Sequence, residues 1–169
     1  NYAQIITEKF GNAVVVTPDN PEADDSVYPF PVVRYPSVDM TKLVGYRAGF
    51  PFSAAVQKTL EAGNFDIIHS HCPITSTMLA RSLRDRIKVP VVMTYHTKFD
   101  IDIANAIRGK FLQEEAKALL AANISACDEV WTVSRGAGEN LRAIGYEGDY
   151  VVMPNGVDFP QGRVEDALI

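Results

Sequence analysis

Histidines, a lysine and an aspartate gather behind two short apolar runs. The run 66–70 is followed by His71-Cys72-Pro73, and the run 89–95 by His96-Thr97-Lys98-Phe99-Asp100. An imidazole just past a strand can take up a proton or bond a sugar hydroxyl or a phosphate. A lysine there can hold an anionic group as a point charge. His96, with polar residues crowded around it, is expected to work on a ligand. His69, inside its run, is expected to be a buried strand side chain. For His71 two readings stay open: a loop histidine bonded to backbone, or a ligand contact. His69 and His71 are expected on opposite faces of their run. No H-E-x-x-H spacing is present, so no metal site is expected.

Two further run exits carry polar residues. Ser134-Arg135-Gly136-Ala137-Gly138-Glu139 follows 129–133. A serine and glycines opening a helix can receive an anion on free backbone N–H groups, which makes Ser134 and Gly136 a candidate anion site. Glu139 opposes an anion, and a plain N-cap role is favoured for Ser134. Pro154-Asn155-Gly156-Val157-Asp158 follows 150–153. Asn-Gly permits positive φ, so a tight turn is expected there. No Walker sequence and no G-x-S-x-G elbow occurs, which leaves a serine hydrolase little support.

The elements that must hold these residues alternate along the chain. Strand-like runs fall at 13–17, 32–35, 66–70, 89–95, 129–133 and 150–153. Most are continuously apolar, as in strands covered on both faces. Helix-like stretches fall at 2–10, 51–63, 74–87, 108–126 and 135–144. In the longest, Phe111, Leu112, Ala116, Leu119, Leu120 and Ile124 form one stripe, expected to be core. The segments 19–31 and 45–52 read as loops, the second rich in aromatics. This alternation predicts an α/β fold: a Rossmann-like, doubly wound, mainly parallel sheet with helices on both faces. In such a sheet ligands sit at the C-terminal ends of strands.

Length, at 169 residues, suits one domain. The net charge is −5 and the basic residues are scattered, so a nucleic-acid partner is not expected. Cys72 and Cys127 belong to no C-x-x-C pair and are expected as buried thiols in a reducing compartment. No apolar run approaches the ~20 residues that cross a bilayer, and no signal peptide is visible. A cytoplasmic location is expected.

Four of these segments, in order, resemble the N-terminal domain of glycosyltransferase family 4: 65–71 (FDIIHSH), 90–97 (PVVMTYHT), Val133-Ser134, and 154–158 (PNGVD). The likeness runs from about residue 13 to residue 158. It implies a retaining enzyme of GT-B architecture, with two Rossmann-like domains facing a cleft. The N-terminal domain, here 1–158, mainly holds the acceptor, and 159–169 begins the linker. The C-terminal domain, which holds most of a UDP- or GDP-sugar donor, lies outside this sequence, and so does the family's first strand. No other cofactor is implied.

By the same resemblance His96 reaches the donor sugar as the catalytic histidine. Thr97 and Lys98 meet the acceptor, with Asp100 and His71 beside them. Asn155 and Gly156 form the hinge into the second domain. Among acceptors a lipid stands ahead of any other single choice but behind all the others together, and it would bring peripheral association with the inner membrane face. The segment 95–108, with 45–52, would form the acceptor pocket or an apolar surface. Alone, the chain is expected to be inactive. Two other classes share the sheet. One is a non-catalytic, flavodoxin-like sugar- or nucleotide-binding module. The other is a dehydrogenase, whose glycine fingerprint is not present here.

Overall fold

The structure, a computed structural model, describes residues 2–44, 47–96 and 99–156. Four parallel strands form its main sheet. They are β5 (Ile68–Ser70), β6 (Val91–Tyr95), β7 (Glu129–Thr132) and β8 (Val151–Val152), hydrogen-bonded in that order. β6 is buried at all five residues, the mark of a strand covered on both faces. A separate parallel pair joins β1 (Val15–Pro18) to β2 (Val32–Tyr35). A short antiparallel pair joins β3 (Ser37–Asp39) to β4 (Arg47–Gly49).

The helices are α1 (Tyr2–Lys9), α2 (Thr41–Val44), α3 (Ala54–Glu61), α4 (Thr75–Ile87), α5 (Phe99–Ala106), α6 (Lys110–Ser125) and α7 (Arg135–Ala143). One apolar cluster packs Met93, Tyr95 and Val130 of the sheet against Leu120 and Ile124 of α6 and Leu141 of α7. A second packs Tyr35 of β2 against α3 and α4, through Val56, Leu60, Leu79 and Leu83, with Val16 and Ile68 at its margin. This second cluster ties the β1–β2 pair to the main sheet. The Tyr35 hydroxyl reinforces the tie, 2.9 Å from Ser76 Oγ of α4. The result is an α/β fold with a mainly parallel sheet flanked by helices, consistent with a Rossmann-like domain.

All six expected strands and all five expected helices are present, most with ends trimmed by one to three residues, while β2 keeps its bounds and β1 ends one residue later. β3, β4, α2 and α5 are additions. Three-residue strands and a four-residue helix are too short to print a period on the sequence. Part of the expected loop 45–52 is therefore β4. The stripe on α6 is only half core. Leu120 and Ile124 are buried, whereas Phe111 (74% exposed), Leu112 and Leu119 face outward. Only the last turns of α6 reach the sheet, so periodicity alone overstated the contact. Both cysteines are free and half-buried, less enclosed than expected. Burial pushes the Cys127 thiol up to about 11. Among the described residues no helix is long and apolar enough to cross a membrane.

Gly49 shows how tightly the hairpin is pressed on the core. A Cβ there would lie 2.2 Å from Cε2 of Tyr35, a ring that is 1% exposed and cannot swing away. Gly49→Ala is predicted to lower stability by about 1–3 kcal/mol through overpacking. Urea unfolding should show the loss as a lower midpoint at unchanged slope. An unmoved midpoint would mean that the Tyr35 ring yields at no cost.

Candidate functional site

Parallel pairing sets Ile68 opposite Val91, His69 opposite Val92 and Ser70 opposite Met93. Side chains alternate across a strand with period two. Met93 and Tyr95 face the α6–α7 core, and Ser70 bonds Thr77 of α4 at 2.8 Å. His69, Thr94 and their neighbours two residues on therefore occupy the other face.

There, two rungs form at the same sequence offset of 25 residues. His69 Nε2 lies 2.7 Å from Thr94 Oγ1, and His71 Nδ1 lies 2.9 Å from His96 Nε2. The expectation that His69 and His71 face opposite ways is overturned. Residues i and i+2 share a strand face, and the two rings stack with centroids 4.2 Å apart. Tyr2 of α1 lies over His71 at 5.7 Å, and Trp131 of β7 meets His69 edge-on at 5.1 Å.

His69 is half-buried and bonded to a hydroxyl, so it is less enclosed than a core side chain. The recorded hydrogen bond of His71 goes to the His96 ring instead of to backbone. His96 is half-buried at the exit of β6, 5.2 Å centroid to centroid from His71.

Burial lowers the basicity of all three imidazoles, and for His71 the neighbouring His69 and His96 add repulsion, taking it to about 4. His69 is lowered by burial and then by His96, and His96 by burial. His71 keeps an exposed edge, yet its ring is walled by His69, Tyr2 and His96, and that wall withholds water from the charged form. At neutral pH the cluster is uncharged, and each ring offers one donor and one acceptor nitrogen.

A second network sits just beneath. The buried Tyr95 hydroxyl donates to Asn140 Oδ1 of α7 at 2.7 Å, and Asn140 Nδ2 donates to Asp100 Oδ1 at 2.8 Å. The Phe99 amide donates to the Tyr95 hydroxyl at 3.4 Å. Asp100 is thus already engaged as an acceptor, and it ties the start of α5 to α7. Sequence reasoning missed Asn140, because an asparagine inside a helix carries no signal of its partner.

Ser134 caps α7, its Oγ accepting from the Ala137 amide at 3.1 Å. A Cβ on Gly136 would meet only Ser134 Oγ, at 4.0 Å, so the helix N-terminus is open around the cap. Asn155 and Gly156 are exposed beyond β8. Neither takes a left-handed backbone, and the rest of the expected turn lies outside the described residues. The ladder continues past β8, with the Met153 amide donating to Thr132 O at 2.8 Å. Thr97, Lys98, Val157, Asp158 and the segment 159–169 lie outside the described residues.

A depression of about 360 Å³ lies at the opposite end of the sheet, lined by Arg84, Asp85, Lys88 and Asp128. Its charges neutralise one another, with Arg84 3.5 Å from Asp128 and 3.6 Å from Asp85. The histidine edge, at the C-terminal ends of the strands, is the candidate site. A family model described as Glycosyltransferase Family 4 matches residues 9–160. A search of curated proteins gives no match.

The depressed His71 has a stability consequence. The unfolded chain binds a proton on this imidazole near the ordinary 6.5, and the folded chain only near 4. Between those values the unfolded state holds more protons, so stability rises with pH. The contribution is complete above 6.5 and is lost progressively down to about 4. A proton NMR titration of the His71 ring should show a midpoint well below 6. A midpoint at 6.5 or above would contradict the desolvated cluster.

Proposed function

The chain belongs to Glycosyltransferase Family 4, and we propose that it supplies the acceptor-side half of a retaining sugar transferase. The donor is a UDP- or GDP-sugar, and the product carries the sugar on an acceptor hydroxyl. A second Rossmann-like domain closes the cleft and holds the donor diphosphate. The observation that carries this reading is the His71–His96 pair at the C-terminal edge of a parallel sheet, where open α/β sheets bind ligands.

Retaining transfer develops positive charge at the anomeric carbon while the diphosphate leaves. A neutral imidazole can bond a sugar hydroxyl without placing a cation beside that charge. The lowered basicity of His96 favours that neutral form. The rest of the work is positioning, with the acceptor hydroxyl held against the same sugar face and water kept out by domain closure. His96 is the proposed catalytic contact. His71, Asp100, Thr97 and Lys98 border the acceptor. Asn155 and Gly156 lie at the crossover to the donor side, and the open N-terminus of α7 at Ser134 and Gly136 stands ready for an anion.

We take the acceptor to be a lipid presented at the cytoplasmic face of a membrane. Support comes from Ile101 of α5 and from Phe111, Leu112 and Leu119 of α6, all exposed. Exposed apolar groups of this size suit an interfacial surface.

In the protein that joins this chain to its donor domain, His96→Ala should cut transfer by ~10²-fold or more, the scale of a positioned acid–base or polar contact. Thermal stability should stay near wild type. Transfer within twofold of wild type would remove His96 from the mechanism. For the isolated chain, calorimetry with UDP-glucose or GDP-mannose should give no tight binding and no turnover. Tight binding there would contradict the division of labour between domains.

A further inference from the structure

We propose that His71 is a positioning residue that fixes the ring and tautomer of His96, so that His96 offers a ligand a bare Nδ1, an acceptor for a hydroxyl proton. The use of that nitrogen on a sugar or acceptor hydroxyl rests on the transferase reading. The ring chemistry does not.

A histidine at the end of a strand turns easily about its terminal torsion, so its nitrogens point where neighbours hold them. His96 Nε2 is 2.9 Å from His71 Nδ1, and one proton must lie between the two. His71 is itself held, stacked on His69 at 4.2 Å with Tyr2 over it at 5.7 Å. His69 is pinned in turn by Thr94 Oγ1 at 2.7 Å and by the edge of Trp131. The sequence of contacts thus runs from β7 and β6 through two rings to His96.

The proton's position follows from tautomer preference. A free neutral histidine side chain favours the Nε2–H form. When both rings adopt it, His96 Nε2–H donates to the bare Nδ1 of His71, and the observed contact is satisfied at no cost. His96 Nδ1 is then left without a proton. A bare ring nitrogen accepts from O–H and has nothing to give a phosphate oxygen. His96 thereby reads hydroxyls and discriminates against phosphate. Among the described residues the charges acting on His71 are those of His69 and His96, and both are neutral at pH 7, so hydrogen bonding sets the tautomer there.

The test is nitrogen-15 NMR of the histidine rings in this chain at neutral pH. Wild type should show His96 protonated on Nε2 and bare on Nδ1, with a scalar coupling to His71 Nδ1 across the hydrogen bond. His71→Phe keeps the aromatic stack and removes the acceptor, so the coupling should vanish and the His96 tautomers should mix. His71→Asn puts an amide oxygen near the lost acceptor and should restore the single tautomer. Should His71→Phe fail to fold, the wild-type coupling and protonation state decide alone.

A His96 protonated on Nδ1, or averaging between tautomers in the wild type, overturns the proposal. A His96 signal indifferent to His71→Phe also overturns it. In the two-domain protein His71→Phe should lower kcat by about 10–100-fold, the scale of a misplaced group, and His71→Asn should recover most of it. If the ring signals behave as stated and wild type transfers no sugar, the transferase reading falls and the positioning role stands.

Discussion

Parallel pairing of β5 with β6, with Ile68 set against Val91, determines which groups can meet at the sheet's upper edge. Two rungs follow from it, His69 with Thr94 and His71 with His96. A slip of one residue would turn one set of side chains to the opposite face and part both pairs at once. The Ile68 amide donates to Pro90 O at 2.9 Å and holds this register, and the β6–β7 register beside it is clamped from below. The Val91 amide donates to Asp128 Oδ2 at 2.7 Å, and the Asp128 amide donates to Val91 O at 2.9 Å. Arg84 braces the clamp, 3.5 Å from Asp128 and donating to Ala126 O at 2.6 Å. The charged depression at the lower edge thus has a structural use, and the chemistry is left to the upper one.

The two faces of the sheet divide the labour. One is apolar and closed: Met93, Tyr95 and Val130 lock to α6 and α7. The other carries imidazoles, a threonine and an indole, stacked and hydrogen-bonded in line. Tyr95 joins them, since its buried hydroxyl reaches Asn140 and, through it, Asp100. The helix that follows His96 is therefore anchored to the same core that fixes the strand. A neutral histidine cluster tolerates this closeness, because three cations within a few ångströms would repel one another.

Much of the fold was legible because long elements repeat their periods. The continuous apolar run of β6 and the glycine after α7 both left clear marks. The hairpin β3–β4 did not, since three residues carry too little alternation, and its tight spot at Gly49 depends on Tyr35, a residue of another strand. At the site, His96 and His71 were legible as polar residues at strand exits. Their direct bond was not, because it needs the register of two strands. A misapplied alternation rule separated His69 from His71, although a spacing of two residues puts side chains on the same face. Asn140 left no trace, since its two partners come from distant segments.

The central claim is that the His96 edge receives the ligand. A crystal structure of the proposed two-domain protein with a nucleotide-sugar bound tests it most directly. The account predicts a sugar or acceptor hydroxyl at about 3 Å from His96 Nδ1, with His71 still bonded to Nε2. A donor sugar seated away from the C-terminal ends of β5 and β6, or a His96 ring turned from it and touching only protein, would contradict the account.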